Sequence, residues 1–436
     1  VVIATGHVWP EKGKIKGFYD SPWPIEKISR QLNHPVAVIG TSLSGVDTVL
    51  TLADKHGKFE RDVNGKLQYK PDETADKFSI TMFSRKGLLP DLRCHFEYPE
   101  HDIYRYVKAP EIETHRKQNG GFVSIDFFFK KYKEAVQKVD PEFYERIKFH
   151  DLKSFINFVV RERQQKPPFD WLADEYAASQ RSLSEKKPMH WKEILDDVTY
   201  SLSFYAKYLN AEDMLEFKRD LMPLASYVIA FMPLESAEKL MALHDAGKLD
   251  LVATGQEWSH STNQGEEGAT LRYRKDSKDV YQRFGTVVRA TGQQEVSVDK
   301  FPFRSLADSG AVQPMSVVYS GAEKAEKEIA AAKGGEQPET TQKGDGDRYY
   351  FYPGGIAVDD SFRIKGKDGA NPRIFDLAVP HLLGCYPYTQ SLPFCNDASR
   401  IVVNAIMKEI QKPVVGEWTQ RVNDNDAPST QRQQSG

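Results

Sequence analysis

The densest chemical signal in the chain is Gly40-Thr41-Ser42-Leu43-Ser44-Gly45. An apolar run, Pro35-Val36-Ala37-Val38-Ile39, precedes it and reads as a strand, and residues 48–54 follow with apolar positions at helical spacing. A glycine turn between strand and helix lets the backbone approach a pyrophosphate closely, and the helix N-terminus adds N–H donors and a positive dipole end. Ser42 replaces the middle glycine of the usual dinucleotide fingerprint and is small enough to pass. The competing reading is a tight turn of any doubly wound domain. Ser42 does not make a nucleophile elbow, because G-x-S-x-G needs glycine where the chain has Ser44.

A second strand is expected over 78–83, and it ends in Ser84-Arg85-Lys86. An acidic residue at this place would accept the ribose hydroxyls of NAD, whereas basic residues hold a 2′-phosphate. The charge therefore favours NADP over NAD, with the fork of Arg85 suited to bidentate contact. An ordinary solvated basic turn is the alternative. Two Ala-Thr-Gly triplets, Ala4-Thr5-Gly6 and Ala290-Thr291-Gly292, follow apolar strands. Small residues there let a strand pass close to a cofactor or another backbone.

Other reactive residues point elsewhere. Cys94, Cys385 and Cys395 are an odd set without CxxC spacing, so neither a disulfide framework nor a redox pair is expected. The histidines lack H-x-x-x-H spacing, and each reads as a surface or capping group. Trp23, between two prolines, reads as a linker anchor, and Phe127-Phe128-Phe129 as helical core. No side-chain acid, base or nucleophile stands out, which suits an enzyme whose cofactor carries the hard chemistry.

The elements that must position these residues follow from patterning. The 436 residues suggest two or three domains. Lys and Arg number 59 against 62 Asp and Glu, a balance that argues against a large sequence-independent nucleic-acid surface. The longest apolar stretch, 221–234, holds two prolines and is too short to span a bilayer. A cytoplasmic location is the default. The chain starts Val1-Val2-Ile3-Ala4 without Met, so a fragment lacking an upstream part is expected, with signal cleavage the alternative. Residues 18–34 read as a polar connector and 57–77 as a surface loop or hairpin turning at Asn64-Gly65. Helices are expected over 125–138, from Asp140, and over 152–164, 191–209, 211–219 and 234–246, too much for one crossover. Strands are expected over 249–253, at Arg272-Tyr273 and over 284–289, then a strand and turn at 355–359. Residues 322–347 read as a solvated or disordered loop, 398–410 as the last helix, and the segment after Val415 as disordered.

In its short motifs the chain resembles the flavoproteins with two dinucleotide-binding domains. Within them it is similar to the FAD-NAD(P)-binding proteins related to N-hydroxylating and flavin-containing monooxygenases. The resemblance rests on Ala4-Thr5-Gly6-His7-x-x-Pro10, Gly40-x-Ser42-x-Ser44-Gly45-x-Asp47, Ser84-Arg85-x-Gly87-Leu88-Leu89-Pro90, Ala290-Thr291-Gly292 and Gly355-Ile356-x-Val358-Asp359. It implies an α/β fold of two Rossmann-like domains, the FAD one incomplete at its N-terminus, with a helical insertion. The implied boundaries are 1–34 for the end of the first FAD segment and linker, and 35–124 for the first part of the NAD(P) domain. The helical subdomain follows over 125–248, the NAD(P) return over 249–295, the FAD return over 296–412 and a tail over 413–436. The implied cofactors are FAD and NADP. Gly40, Thr41, Ser42, Leu43, Ser44, Gly45, Ser84 and Arg85 would hold NADPH, with Thr291 and Gly292 beside it, and Thr5, Gly6, Gly355 and Asp359 would border FAD. The chain departs from the family pattern in lacking the opening FAD fingerprint. It departs again in having His381-Leu382-Leu383-Gly384-Cys385-Tyr386-Pro387 where a Gly-Asp is usual, with a helix start at Asn396-Asp397 nearby. The expected activity is NADPH reduction of bound FAD, with electrons passed to oxygen or an organic acceptor, as in a monooxygenase. Expected partners are a small-molecule substrate and, through the helical insertion, a second copy or assembly partner; neither nucleic acid nor a membrane span is expected. A non-catalytic assembly subunit on the same scaffold is the alternative.

Overall fold

The structure is a computed structural model that describes residues 1–9, 15–262, 265–275, 278–332, 340–388 and 391–411. The expected tail after Val415 and Pro10 of the first motif lie outside the described residues.

The architecture is mixed α/β around one five-stranded parallel sheet. Its strands run in the order Phe18–Tyr19, Thr286–Arg289, Pro35–Ile39, Ser79–Ser84 and Leu249–Ala253. Pro35–Ile39 is apolar throughout because both faces of a central parallel strand are covered. Alternation sends Val36 and Val38, with Ile80 and Met82, against the helices Leu43–His56 and Leu234–Asp245. Ala37, Ile39 and Phe83 face the other way, onto a three-stranded antiparallel sheet of Trp258–Ser261, Ala269–Lys275 and Lys278–Phe284. The expected strand over 284–289 is thus two strands. At Gly285 the chain leaves the antiparallel sheet for the parallel one, and a Cβ there would lie 2.6 Å from the His34 ring.

Between Ser79–Ser84 and Leu249–Ala253 the crossover swells into a helical body. It includes Ile125–Val139, Pro141–Ile147, Leu152–Gln164, His190–Tyr205 and Met222–Val228, around a core with Phe128, Phe155 and Tyr200. Three helices here escape the sequence patterning: Ala109–Gln118, which buries a single residue, Ile112, Pro168–Glu185, with proline in its first turn, and Met222–Val228.

Val2–Ile3 pairs in parallel with Gly369–Asp376, which pairs antiparallel with Arg363–Gly366. The first and last parts of the chain therefore share one small sheet. The hairpin expected over 57–77 is present as Gly57–Arg61 and Leu67–Pro71. Three expectations are corrected. Phe18–Tyr19, inside the expected polar connector, is an edge strand of the parallel sheet. Within 322–347, Ala322–Ala332 is helical, because Ala, Glu and Lys are strong helix formers and Glu323 and Lys327 pair at i,i+4. The last helix is Leu392–Ile410, capped by the Ser391 side chain accepting from the Phe394 N–H, so Asn396 and Asp397 lie inside it rather than at its start.

Candidate functional site

The strand Pro35–Ile39 ends at Gly40, whose N–H donates to the Phe83 carbonyl at 2.8 Å. Its φ is +120°, and a Cβ there would lie 2.4 Å from the Ala290 carbonyl oxygen. A Cβ on Gly45 would lie 2.3 Å from the Gly40 carbonyl oxygen. Both glycines of the motif are therefore required by close backbone approach: Gly40 to the neighbouring strand end, and the first turn of Leu43–His56 to Gly40. Ser42 is the N-cap, but its side chain caps no N–H of the helix. The start of this helix thus keeps donor capacity for a ligand, and no acidic residue stands in its first turn to oppose an anion.

A cavity of about 630 Å³ opens at this sheet end. Gly40, Thr41, Ser42, Leu43, Ser44, Ser84, Arg85, Thr291 and Gly292 line it, so both strand ends and the second Ala-Thr-Gly triplet meet at one place. Gly45 lies beneath, its role the packing just described. Arg85 is exposed, and among the described residues its side chain has no hydrogen-bond or ion-pair partner. The opposite wall comes from the helical body, with Lys218, Met222 and Tyr227, and from Pro387, Tyr388 and Ser391 before the last helix.

The other sequence-derived set is not gathered there. Thr5 and Gly6 are exposed and reach the cavity only indirectly, through a hydrogen bond between His7 Nδ1 and Oε1 of Gln293, a lining residue. Gly355 has φ +72°, and a Cβ would lie 2.4 Å from the His381 carbonyl oxygen, so packing within its own region accounts for it. The Asp359 carboxylate accepts from the N–H groups of Ser361 and Arg363 at 2.8 and 2.9 Å and stands 3.5 Å from the Arg363 guanidinium.

Tyr388 escapes sequence reasoning because its partners are about two to three hundred residues away. Its hydroxyl donates to Asp196 Oδ1 at 3.0 Å, and Asp196 Oδ2 meets His101 Nε2 at 2.9 Å. Burial works to lower the His101 pKa, but the Asp196 hydrogen bond and charge outweigh it, so the imidazole sits above its ordinary value. Burial lifts the neighbouring Asp197 to about 7, with Arg105 and His101 pulling it back. His101 is neither a surface nor a capping group: it anchors a polar chain running from the cavity wall into the helical body. His381 is also buried, with Nδ1 2.8 Å from Asp376 and no partner at Nε2 among the described residues. The only sequence signal for the Tyr388 chain is the paired Asp196-Asp197 at otherwise apolar helix positions.

Among the described residues, no group of three or more His, Cys, Asp or Glu is arranged to hold a metal ion, and no helix is long and apolar enough to cross a membrane. All three cysteines are free, and Cys94 and Cys385 are buried.

A family described as the YdhS-like middle domain matches residues 108–229. That stretch begins one residue before the helix Ala109–Gln118 and ends one residue after Met222–Val228. "Uncharacterized protein YdhS" of Escherichia coli (strain K12) is 26% identical over 413 residues, covering 93% of this chain and 68% of that protein. Among solved structures, the Kutzneria sp. 744 ornithine N-hydroxylase (KtzI-FADred-NADP+-L-orn) aligns with a TM-score of 0.34, 11% identity and 94% of this chain covered. The ornithine hydroxylase PvdA of Pseudomonas aeruginosa aligns with a TM-score of 0.31, 9% identity and 92% covered. This chain spans 64% and 62% of the lengths of those two chains.

Proposed function

We propose that the chain binds NADPH in the cavity at the end of the parallel sheet and serves a flavin-dependent oxidoreductase of the monooxygenase kind. One observation carries the nucleotide reading. Gly40 and Gly45 leave no room for a Cβ, and the loop between them lines the cavity at the start of an uncapped helix. Gly40 to Ser44 would hold the pyrophosphate, and Arg85 would meet the 2′-phosphate. When bound, NADPH supplies a hydride. The protein's part is to bind and orient the dinucleotide and to exclude water, with the helical body and Pro387, Tyr388 and Ser391 closing the far wall.

The flavin half fits less well. Thr5 and Gly6 stand outside the cavity, and Gly355 and Asp359 are engaged within their own region, so these four residues do not come together around a space for FAD. That same observation favours a second reading, a nucleotide-binding assembly subunit without redox chemistry of its own, with a second copy or other partner meeting the helical body.

The test is the visible spectrum of the purified protein, with NADPH added in the absence of oxygen. Flavin bands that bleach support the oxidoreductase. A colourless protein that takes up no FAD yet binds NADPH supports the assembly subunit. A protein that binds neither NADPH nor NADH overturns the assignment at Gly40–Gly45.

A further inference from the structure

Beyond Arg85 the large cavity adjoins a second one of about 220 Å³, and Arg85, Pro223 and Tyr227 line both. The smaller cavity has an apolar side, with Ile156, Val160 and Leu224 from the helical body. Its charged groups are Arg85, Lys86, Arg219 and Asp220, three cations and one acid, a balance of +2. Arg219 pairs with Asp220 at 2.9 Å. Arg85 and Lys86 are held by their backbones: Gly255 N–H donates to the Arg85 carbonyl at 3.1 Å and the Gln164 side chain to that of Lys86 at 3.0 Å. Their side chains have no hydrogen-bond or ion-pair partner among the described residues. Two unpartnered cations on a fixed backbone, beside an apolar wall, favour an anion that completes them. Burial lowers the Lys86 pKa, with Asp220 pulling it up and Arg85 adding to the fall, and a bound dianion would reverse that direction.

We infer that the helical body supplies half of a coenzyme-discriminating pocket, in which Arg85, Lys86 and Arg219 together receive the 2′-phosphate of NADPH. The inference rests on the nucleotide reading above and goes beyond it, because it makes a residue of the inserted helices a determinant of coenzyme choice. A phosphomonoester carries about −1.5 to −2 charges at neutral pH, which matches the pocket. Arg85, shared by both cavities, would bridge the nucleotide and its phosphate. Tyr227, also shared, is a neutral donor on the same wall.

Dissociation constants of NADPH, NADH, 2′,5′-ADP, 5′-ADP and inorganic phosphate test this on the full chain, for the wild type, Lys86→Met and Arg219→Gln. The wild type should prefer 2′,5′-ADP to 5′-ADP, and each substitution should cut NADPH-over-NADH discrimination by about tenfold, the worth of one charge-assisted hydrogen bond. Arg219→Gln bares Asp220, so the double variant Arg219→Gln/Asp220→Asn separates lost attraction from new repulsion. Discrimination that stays low in the double variant supports the role of Arg219, and full recovery overturns it. Variants that weaken NADPH and NADH equally, or a wild type that does not distinguish them, overturn the pocket and leave the nucleotide site standing. Inorganic phosphate bound as tightly as 2′,5′-ADP overturns it in favour of a free phosphate. Binding of neither dinucleotide fails the underlying reading instead.

Discussion

Two groups of charged residues sit on the two ends of the loop that leaves the strand Ser79–Ser84, and they are opposites. At its start, Arg85 and Lys86 stand at the cavities without partners among the described residues. A few residues on, Asp91 is fully buried and meets the side chains of Arg163 and Lys192, the latter at 2.9 Å, and Lys192 also bonds Glu175. There two cations and two acids neutralise each other out of water. Burial opposes the Asp91 charge, but Arg163 and Lys192 outweigh it and hold the carboxyl below its ordinary value, while burial and the Asp91 charge lift Glu175. The closed cluster ties three helices of the inserted body to the loop, and its charges are spent on each other. The open pair has charge to offer. Satisfaction of partners, rather than charge as such, separates a lock from a receptor.

The largest expected effect comes from breaking the closed cluster. Lys192→Met leaves Glu175 without its cation and Asp91 with one, and should cost about 3–5 kcal/mol in urea unfolding. Lys192→Met with Glu175→Gln should cost less than the two single changes added together, because they share one network. Additive losses would show that the four groups do not act as a unit.

The next effect tests whether the Tyr388 chain behaves as lock or receptor. Asp197, lifted by burial to about 7 from 3.8, keeps a proton in the folded state that the unfolded chain has already lost. Its contribution therefore falls as pH rises through that window and is lowest above it. His101, raised in the folded state, adds stability that is present below its ordinary value and lost above its folded one, so both groups point the same way. Relative to the wild type, Asp197→Asn should gain stability on the order of a few kcal/mol between about pH 4 and pH 7. A difference between the two proteins that stays flat with pH would sink this assignment. Tyr388→Phe should leave that slope in place, since the contacts it removes, to Asp196 and to the Ile229 carbonyl, do not include Asp197.

Smaller again is the glycine cradle. Gly45→Val drives methyl groups into the Gly40 carbonyl and should cost about 1–3 kcal/mol as overpacking. It should also weaken NADPH and NADH alike, because it moves the loop rather than a charge. Selective loss of NADPH would contradict the division of labour between loop and cations.

The glycine cradle was legible in the chain and the closed cluster was not, for a physical reason. Gly40, Ser42 and Gly45 are adjacent in sequence, and local conformation forces those residue types, so spacing alone exposes the turn. Ser84 and Arg85 follow from the end of an apolar run. Asp91 on its loop and Arg163, Glu175 and Lys192 on three helices are scattered along the chain, each at home on a solvated surface until the tertiary fold brings them together. Tyr388, Asp196 and His101 hide in the same way. The lone Phe18–Tyr19 strand is too short for any period to show. Thr5 and Gly355 were legible as motif members, yet the fold leaves Thr5 exposed outside the cavity and packs Gly355 against the His381 backbone, placements that a short pattern does not reveal.

The smallest effect on stability and the sharpest on binding belong to Arg85. Its side chain is exposed and has no partner to strand, so Arg85→Ala should change unfolding free energy by no more than about 0.5 kcal/mol. On the reading proposed here the same change removes a charge-assisted contact to the 2′-phosphate and should weaken NADPH by about tenfold while NADH shifts little. The contrast with Lys192→Met is then complete: one cation whose loss is felt only by the fold, another whose loss is felt only by the ligand. Calorimetric titration and urea unfolding of the two variants, done side by side, check it. If Arg85→Ala unfolds as readily as Lys192→Met, Arg85 is part of the lock, and the boundary between the two charge groups lies elsewhere along the loop.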